Sequence, residues 1–261
     1  MNRVTRAIER SWPAAALVAA CLLLWELLAR SLGLQDWLLP APSDVWRAGV
    51  ASSSLLWPHV WRTLSETLVG FAAALVLGLG LGMAIDLSPL LRRALYPLLV
   101  ASQTVPTIAI APLLAIWFGY GLLPKVIVVG LVCFFPIVVN TADGLRATNP
   151  DLLALLRTMG ASRRDLFLKV RLPSALPMIL TGIKVAITYR VVGAIMGEWV
   201  GASSGLGIFM LRASNSFRTD WVFVSVFTSA ALSLALFGAV SLVERLLQPW
   251  KSARQEHWEE L

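Results

Sequence analysis

The chain has 261 residues, 57% of them hydrophobic and only 14% charged, with a mean hydropathy of +0.74. Soluble domains average about 45–50% apolar and about 25% charged residues. The composition therefore excludes an ordinary soluble globule, a disordered chain and a disulfide scaffold. It leaves an integral membrane protein with room for about six spans of roughly 20 residues each. The net charge of +7 and the pI near 10.1 do not point to nucleic acid, since no basic stripe lies on a soluble element. Basic residues gather instead in the cytoplasmic loops of membrane proteins. Cys21 and Cys133 both lie in apolar runs and have no metal-site spacing.

The first apolar run covers Trp12 to Leu28, behind Arg3, Arg6 and Arg10. Its charge order is that of a signal peptide. Glu26 and Arg30 crowd the only small-x-small string, Ala29-Arg30-Ser31, so an uncleaved first span is the expectation. The second run, Leu68 to Ile85, holds Gly78, Gly80 and Gly82, and the first and last of these have small-xxx-small spacing for close helix packing. The third, Tyr96 to Phe118, is broken by Pro97, Pro106 and Pro112 and carries Gln103, Thr104 and Thr107. It reads either as a broken polar helix beside a translocation path or as a kinked packing helix. The fourth, Val126 to Asn140, follows the tight turn Gly119-Tyr120-Gly121-Leu122-Leu123-Pro124 and contains Pro136. The fifth, Ala175 to Val200, carries Lys184, Arg190 and Glu198. The sixth, Val222 to Val243, lies between the interfacial Trp221 and Trp250.

Lysine and arginine concentrate in alternate connections. One set comprises the N-terminal arginines, Arg92, Arg93, Arg146, Arg157, Arg163, Arg164, Lys169, Arg171, and the tail residues Arg245, Lys251 and Arg254. The opposite side holds only Arg30, Arg47, Arg62, Lys125, Arg212 and Arg218. The bias predicts an all-α polytopic bundle of about six spans with both termini cytoplasmic. The expected organisation is a tail and first span over 1–30, an extracytoplasmic segment over 31–64, a core over 65–245 and a cytoplasmic tail over 246–261.

The cytoplasmic loop at 143–173 is too patterned for a linker. Asn149 suits an N-cap, Pro150 the first helical position, and Asp151 complements the positive helix end. Leu152, Leu153, Leu155, Leu156 and Met159 follow at helical spacing, and Gly160 can supply the left-handed residue that ends the helix. Ser162 and Asp165 resemble a capping box opening a second helix, which Leu172-Pro173 closes. The first helix must bury its apolar face against this chain's own spans or in a groove on a partner.

This loop resembles the signature of importer-type ABC permeases: Glu-Ala-Ala, three residues, Gly, nine residues, Ile, any residue, Leu-Pro. Gly160 holds the glycine place, Val170 the isoleucine place, and Leu172-Pro173 ends the motif. The Glu-Ala-Ala place reads Ala154-Leu155-Leu156, so the spacing is kept without the acidic residue. Leu39-Pro40-Ala41-Pro42-Ser43-Asp44-Val45, Ala115-Ile116-Trp117-Phe118-Gly119, Phe134-Phe135-Pro136-Ile137 and Gly201-Ala202-Ser203-Ser204-Gly205-Leu206-Gly207 resemble the nitrate, sulfonate and taurine branch. Gly197-Glu198-Trp199-Val200-Gly201 is closer to permeases for thiamine pyrimidine precursors or riboflavin.

The resemblance implies a type I importer (MetI-like) permease in the bacterial inner membrane. It implies a permease homodimer surrounded by lipid, two copies of an ATP-binding cassette ATPase, and an extracytoplasmic substrate-binding protein. It assigns Ala154, Leu155, Leu156, Arg157, Met159, Gly160, Val170, Leu172 and Pro173 to ATPase coupling. ATP and Mg would be bound by the partner, because this chain has no Gly-Lys pair and hence no phosphate loop; no cofactor and no enzymatic activity are expected of it.

Gln103, Arg190 and Glu198 are the candidate pathway residues. Arg190 is nearest mid-span, where a charge costs about 2.5–3.5 kcal/mol on insertion scales and is by default a functional candidate. It either faces the path or pairs with Glu198 or a carbonyl; Glu198 lies roughly 80° away around an ideal helix. Lys184 and Glu198 are nearer the span ends and are expected to snorkel or pair. His59 and His257 belong to no ligand cluster. The competing classes are a secondary transporter using span carboxylates, an intramembrane enzyme and a structural subunit.

Overall fold

The computed structural model describes residues 3–33, 35 and 37–248, with side chains from residue 12 onward. Trp250, His257, and Lys251 and Arg254 of the tail lie outside the described residues, as do the side chains of Arg3, Arg6 and Arg10. The apolar runs form α1 (Arg3–Ser31), α3 (Ser53–Leu87), α6 (Leu122–Arg146), α9 (Leu172–Trp199) and α11 (Thr219–Leu247), joined by the shorter α2 (Pro42–Ala51), α4 (Pro89–Ser102), α5 (Thr107–Phe118), α7 (Pro150–Thr158), α8 (Arg163–Asp165) and α10 (Leu206–Asn215). Among the described residues five helices are long and apolar enough to cross a membrane, and α4 with α5 makes a sixth span if the bent pair counts as one.

The second span starts at Ser53 rather than Leu68, because Leu55, Leu56, Trp57, Val60 and Trp61 continue a helical apolar pattern outward. The third is broken at Gln103–Pro106, with 98° between its halves. The break suits lipid because it satisfies its own backbone. The Ser102 hydroxyl donates to Leu99 O (2.7 Å), the Thr104 hydroxyl to Ala101 O (2.8 Å), and Gln103 N–H to Val100 O (3.1 Å).

The bundle is built around α6, which lies between α3 and α9. Gly70, Ala74, Gly78 and Gly82 are buried on one stripe of α3. A Cβ on Gly78 would stand 2.8 Å from Ile137, and one on Gly82 2.6 Å from Thr141. The expected Gly78–Gly82 face is thus a packing seam, while Gly80 faces open space. On the other side Gly182 lets α9 meet α6, where a Cβ would fall 2.6 Å from both Asn140 Cβ and the Pro136 carbonyl oxygen. Backbone cannot yield as a side-chain tip can, so Gly182→Leu should cost about 1–3 kcal/mol or more. Thermal unfolding in detergent should show a lower midpoint for Gly182→Leu and none for Gly80→Leu.

Helix α9 extends further toward its N-terminus than expected. Leu172-Pro173 does not close the preceding helix; α8, a π-helical turn over Leu166–Arg171 and α9 form one helical rod of 37 residues from Arg163 to Trp199. Pro173 has no N–H, and its ring crowds the carbonyl four residues back. The widened turn, in which Leu172 N–H donates to Phe167 O, accommodates it without a stop.

The ends of the bundle differ in charge. At one end Arg171 pairs with Asp86 (2.8 Å) and donates to Leu145 O (3.1 Å), and Arg92 pairs with Asp143 (3.4 Å), so the ends of α3, α4, α6 and the α9 rod meet there. At the other end Glu26 pairs with Arg30 and accepts from Ser43 N–H (3.1 Å), tying α1 to α2. Lys184 pairs with Glu244, linking α9 to α11.

Candidate functional site

Two features stand out: an exposed helix at the basic end and a groove along the bundle. Helix α7 forms as its caps dictate. The Asn149 side chain accepts from Asp151 N–H (2.8 Å) and Leu152 N–H (3.4 Å). At the other end Ala161 N–H donates to Leu156 O and Gly160 N–H to Arg157 O, both at 3.0 Å. This is a Schellman motif, with Gly160 at φ +88° in the left-handed region. Ser162 then caps α8, accepting from Asp165 N–H (3.1 Å) while its hydroxyl donates to the Asp165 carboxylate.

No residue of α7 is buried. Leu152, Leu155 and Met159 are 41%, 58% and 74% exposed, Ala154 and Arg157 are exposed, and Leu153 and Leu156 are half-buried. The chain's own spans therefore leave the apolar face open. Val170 and Leu172 are half-buried beside it, with Leu172 against Leu145, Ala175 and Ile179, while Pro173 is exposed. The loop is thereby fixed at its base and free at its tip.

The groove has a volume of about 560 Å³ and lies between the broken α4–α5 pair and the outer faces of α6 and α9. Gln103 lines it, with Ser102, Thr107, Phe135, Asn140 and Tyr189. Non-helical backbone at membrane depth occurs where it is buried in protein or lines a cavity, and the break opens onto this groove. Arg190 and Glu198 are elsewhere. Arg190 is 1% exposed in the α3–α6–α9 core, its guanidinium carbon 4.9 Å from the centre of the Phe71 ring. Its Nε and Nη2 are buried without a hydrogen-bond partner, and Glu198 does not reach them.

Glu198 belongs to a buried polar network at the end opposite α7. The Thr63 hydroxyl donates to Glu198 Oε1 (2.5 Å) and Gly207 N–H donates to Oε2 (2.5 Å). One turn along α3, Glu66 Oε1 takes Lys125 Nζ and Arg62 Nε, each at 2.7 Å. Glu66 is fully buried and Lys125 is 6% exposed. Lys125 follows a tight turn in the sequence, and nothing local marks Glu66 or Thr63 apart from the Arg62–Glu66 spacing of four. No group of three metal-ligating side chains occurs among the described residues.

A helical span bundle with a lateral groove and an exposed apolar helix on one loop fits a membrane transport component. The chain belongs to the family described as the binding-protein-dependent transport system inner membrane component, whose match covers residues 74–252. It is 43% identical over 231 residues to the formylaminopyrimidine transport permease protein ThiX of Halalkalibacterium halodurans, covering 88% of this chain and 92% of that one. It is 37% identical to the riboflavin transport system permease protein RibX of Chloroflexus aurantiacus, over 95% of each chain. It is 28% identical to the taurine transport system permease protein TauC of Escherichia coli, over 94% of each. Its fold matches a chain of the inward-facing MetNI methionine ABC transporter with a TM-score of 0.65 at 23% identity, over 76% of this chain and 98% of that one. The protein is thus a multi-pass inner-membrane permease subunit of an ABC importer, a transport component and not an enzyme.

Proposed function

We propose that two copies of this chain form the path and that their grooves face one another. Each is driven by an ATPase seated on α7, and solute is delivered by an extracytoplasmic binding protein. ATP and Mg are held by the ATPase; this chain contributes the moving walls. Support for the pair comes from the groove's lateral opening, where Leu131, Val185 and Tyr189 of α6 and α9 are exposed. Support for docking comes from α7, whose open apolar face has the i, i+3, i+4, i+7 pattern of a helix that lies in a partner's groove.

The solute is a neutral heteroaromatic compound, of the kind for which ThiX and RibX are named, rather than a small anion. One observation carries this reading: the groove wall offers amides, hydroxyls and two aromatic rings and no charged side chain, while the two cations of α9 are engaged elsewhere, Arg190 in the core and Lys184 with Glu244. A path for sulfonate or nitrate would be expected to present fixed positive charge, whereas stacking and hydrogen bonding suit a planar uncharged ring.

The test is purification in mild detergent with the cognate ATPase, followed by vesicle ATPase assays with binding proteins loaded with a pyrimidine, riboflavin, taurine or nitrate. Stimulation by a pyrimidine- or riboflavin-loaded protein supports the reading. Stimulation by the anion-loaded proteins alone overturns the substrate class, and absence of a co-purifying ATPase overturns the docking.

A further inference from the structure

Helix α10 is held by other helices rather than by its own cap. Its cap residue Gly205 has φ +131° and no side chain to offer. The first three N–H groups are instead taken up from outside. Gly205 N–H donates to His59 Nδ1 (2.9 Å), Leu206 N–H to the Thr63 hydroxyl (2.8 Å) and Gly207 N–H to Glu198 Oε2 (2.5 Å). Thr63 also donates to Glu198, so α3 and α9 grip α10 through one shared cluster. The fit leaves no slack, because a Cβ on Gly205 would collide with the Glu198 carboxylate. Beneath it, Leu206 and Phe209 are buried against Val45, Leu56 and Val224.

Glu198 stands at the far end of the same 37-residue rod whose near end emerges from the α7 loop. That near end carries the π-helical turn, latched by Arg171 to Asp86 and Leu145 O. One helix therefore joins the ATPase-facing loop to α10, which lies at the opposite, extracytoplasmic end with Arg212 and Ser214 exposed and Phe217 exposed just beyond it. The geometry points to Glu198 and Thr63 as positioning residues that pin α10 to the α9 rod, so that α10 moves with the ATPase state and conveys binding-protein docking back along α9. This rests on the function proposed above and gives Glu198 a role away from the solute path.

The pin is weakened by Thr63→Val, which keeps the side chain's shape but loses the bonds to Glu198 and Leu206 N–H, and restored by Thr63→Ser. Coupling free energies between linked sites are typically worth about 5–150-fold. In the reconstituted transporter, Thr63→Val should lower stimulation by loaded binding protein about fivefold or more, leave basal ATPase activity within about twofold, and regain stimulation as Thr63→Ser. A fluorophore on Ser214→Cys, in an otherwise wild-type chain, should report a spectral shift when a non-hydrolysable ATP analogue binds at the other end of the rod. The shift should be markedly smaller with Thr63→Val. Equal loss of basal and stimulated activity, failure of Thr63→Ser to rescue, or an α10 label blind to nucleotide in the wild type would each overturn the pin. If Thr63→Val fails to assemble, the wild-type label decides alone. A wild-type complex that no loaded binding protein stimulates overturns the proposed function instead, and the pin with it.

Discussion

Replacing Leu155 and Leu156 together with aspartate should abolish ATP-driven transport while leaving the chain folded in the membrane. Leu155 is 58% exposed and Leu156 half-buried, so neither holds the bundle together. The helix stands on the Asn149 cap and the Gly160 Schellman motif, and both survive the change. Two aspartates near a helix C-terminus oppose its dipole by only about 0.3–1 kcal/mol each. In the docked state the cost is larger. Each buried leucine contributes about 1.5–3 kcal/mol, and a carboxylate in its place has to be desolvated without a partner. Losing both leucines corresponds to a loss of affinity of about a hundredfold or more. The ATPase should no longer co-purify with the variant, while span folding, read by thermal unfolding in detergent, should match wild type. Retention of the ATPase would place docking elsewhere.

Removing Glu66 should have the largest effect on stability. Glu66 is fully buried and its Oε1 takes two cations, of which Lys125 is itself buried. With Glu66→Ala, Lys125 is left in the bundle without its counter-charge, and breaking one partner of a buried pair costs about 3–5 kcal/mol. The half-buried Arg62 turns to water and adds little. The variant should accumulate poorly and unfold at markedly lower temperature. Glu66→Leu combined with Lys125→Met should recover most of the loss, since buried pairs are often replaced by apolar residues at little cost. A Glu66→Ala protein as stable as wild type would mean that Lys125 finds water where the structure buries it.

The spans and the α7 loop were legible in the sequence because their signals are local. Apolar runs of span length, Asn149-Pro150 at one end of α7 and Gly160 at the other each act within a few residues. The break at Gln103–Pro106 was also visible in its prolines and polar residues, although not its 98° bend. The π-helical turn was hidden, because Leu172-Pro173 reads as a stop unless the preceding turn widens. The buried network was hidden for a different reason. Glu66 meets Lys125 across 59 positions and Thr63 meets Glu198 across 135, and nothing in either neighbourhood announces the other. Glu198 illustrates the limit. Its charge within a span was noticed, but its partners, a hydroxyl on α3 and the backbone of α10, exist only after the helices have packed.

The central claim is that this chain is a solute path moved by ATP through α7. It is tested most directly by radiolabelled pyrimidine uptake into vesicles holding the permease and its ATPase, with loaded binding protein supplied on the extracytoplasmic side. Accumulation that requires ATP on the α7 side and disappears in the Leu155→Asp, Leu156→Asp variant is the predicted result. Uptake that proceeds without ATP, or that persists in that variant, would contradict it.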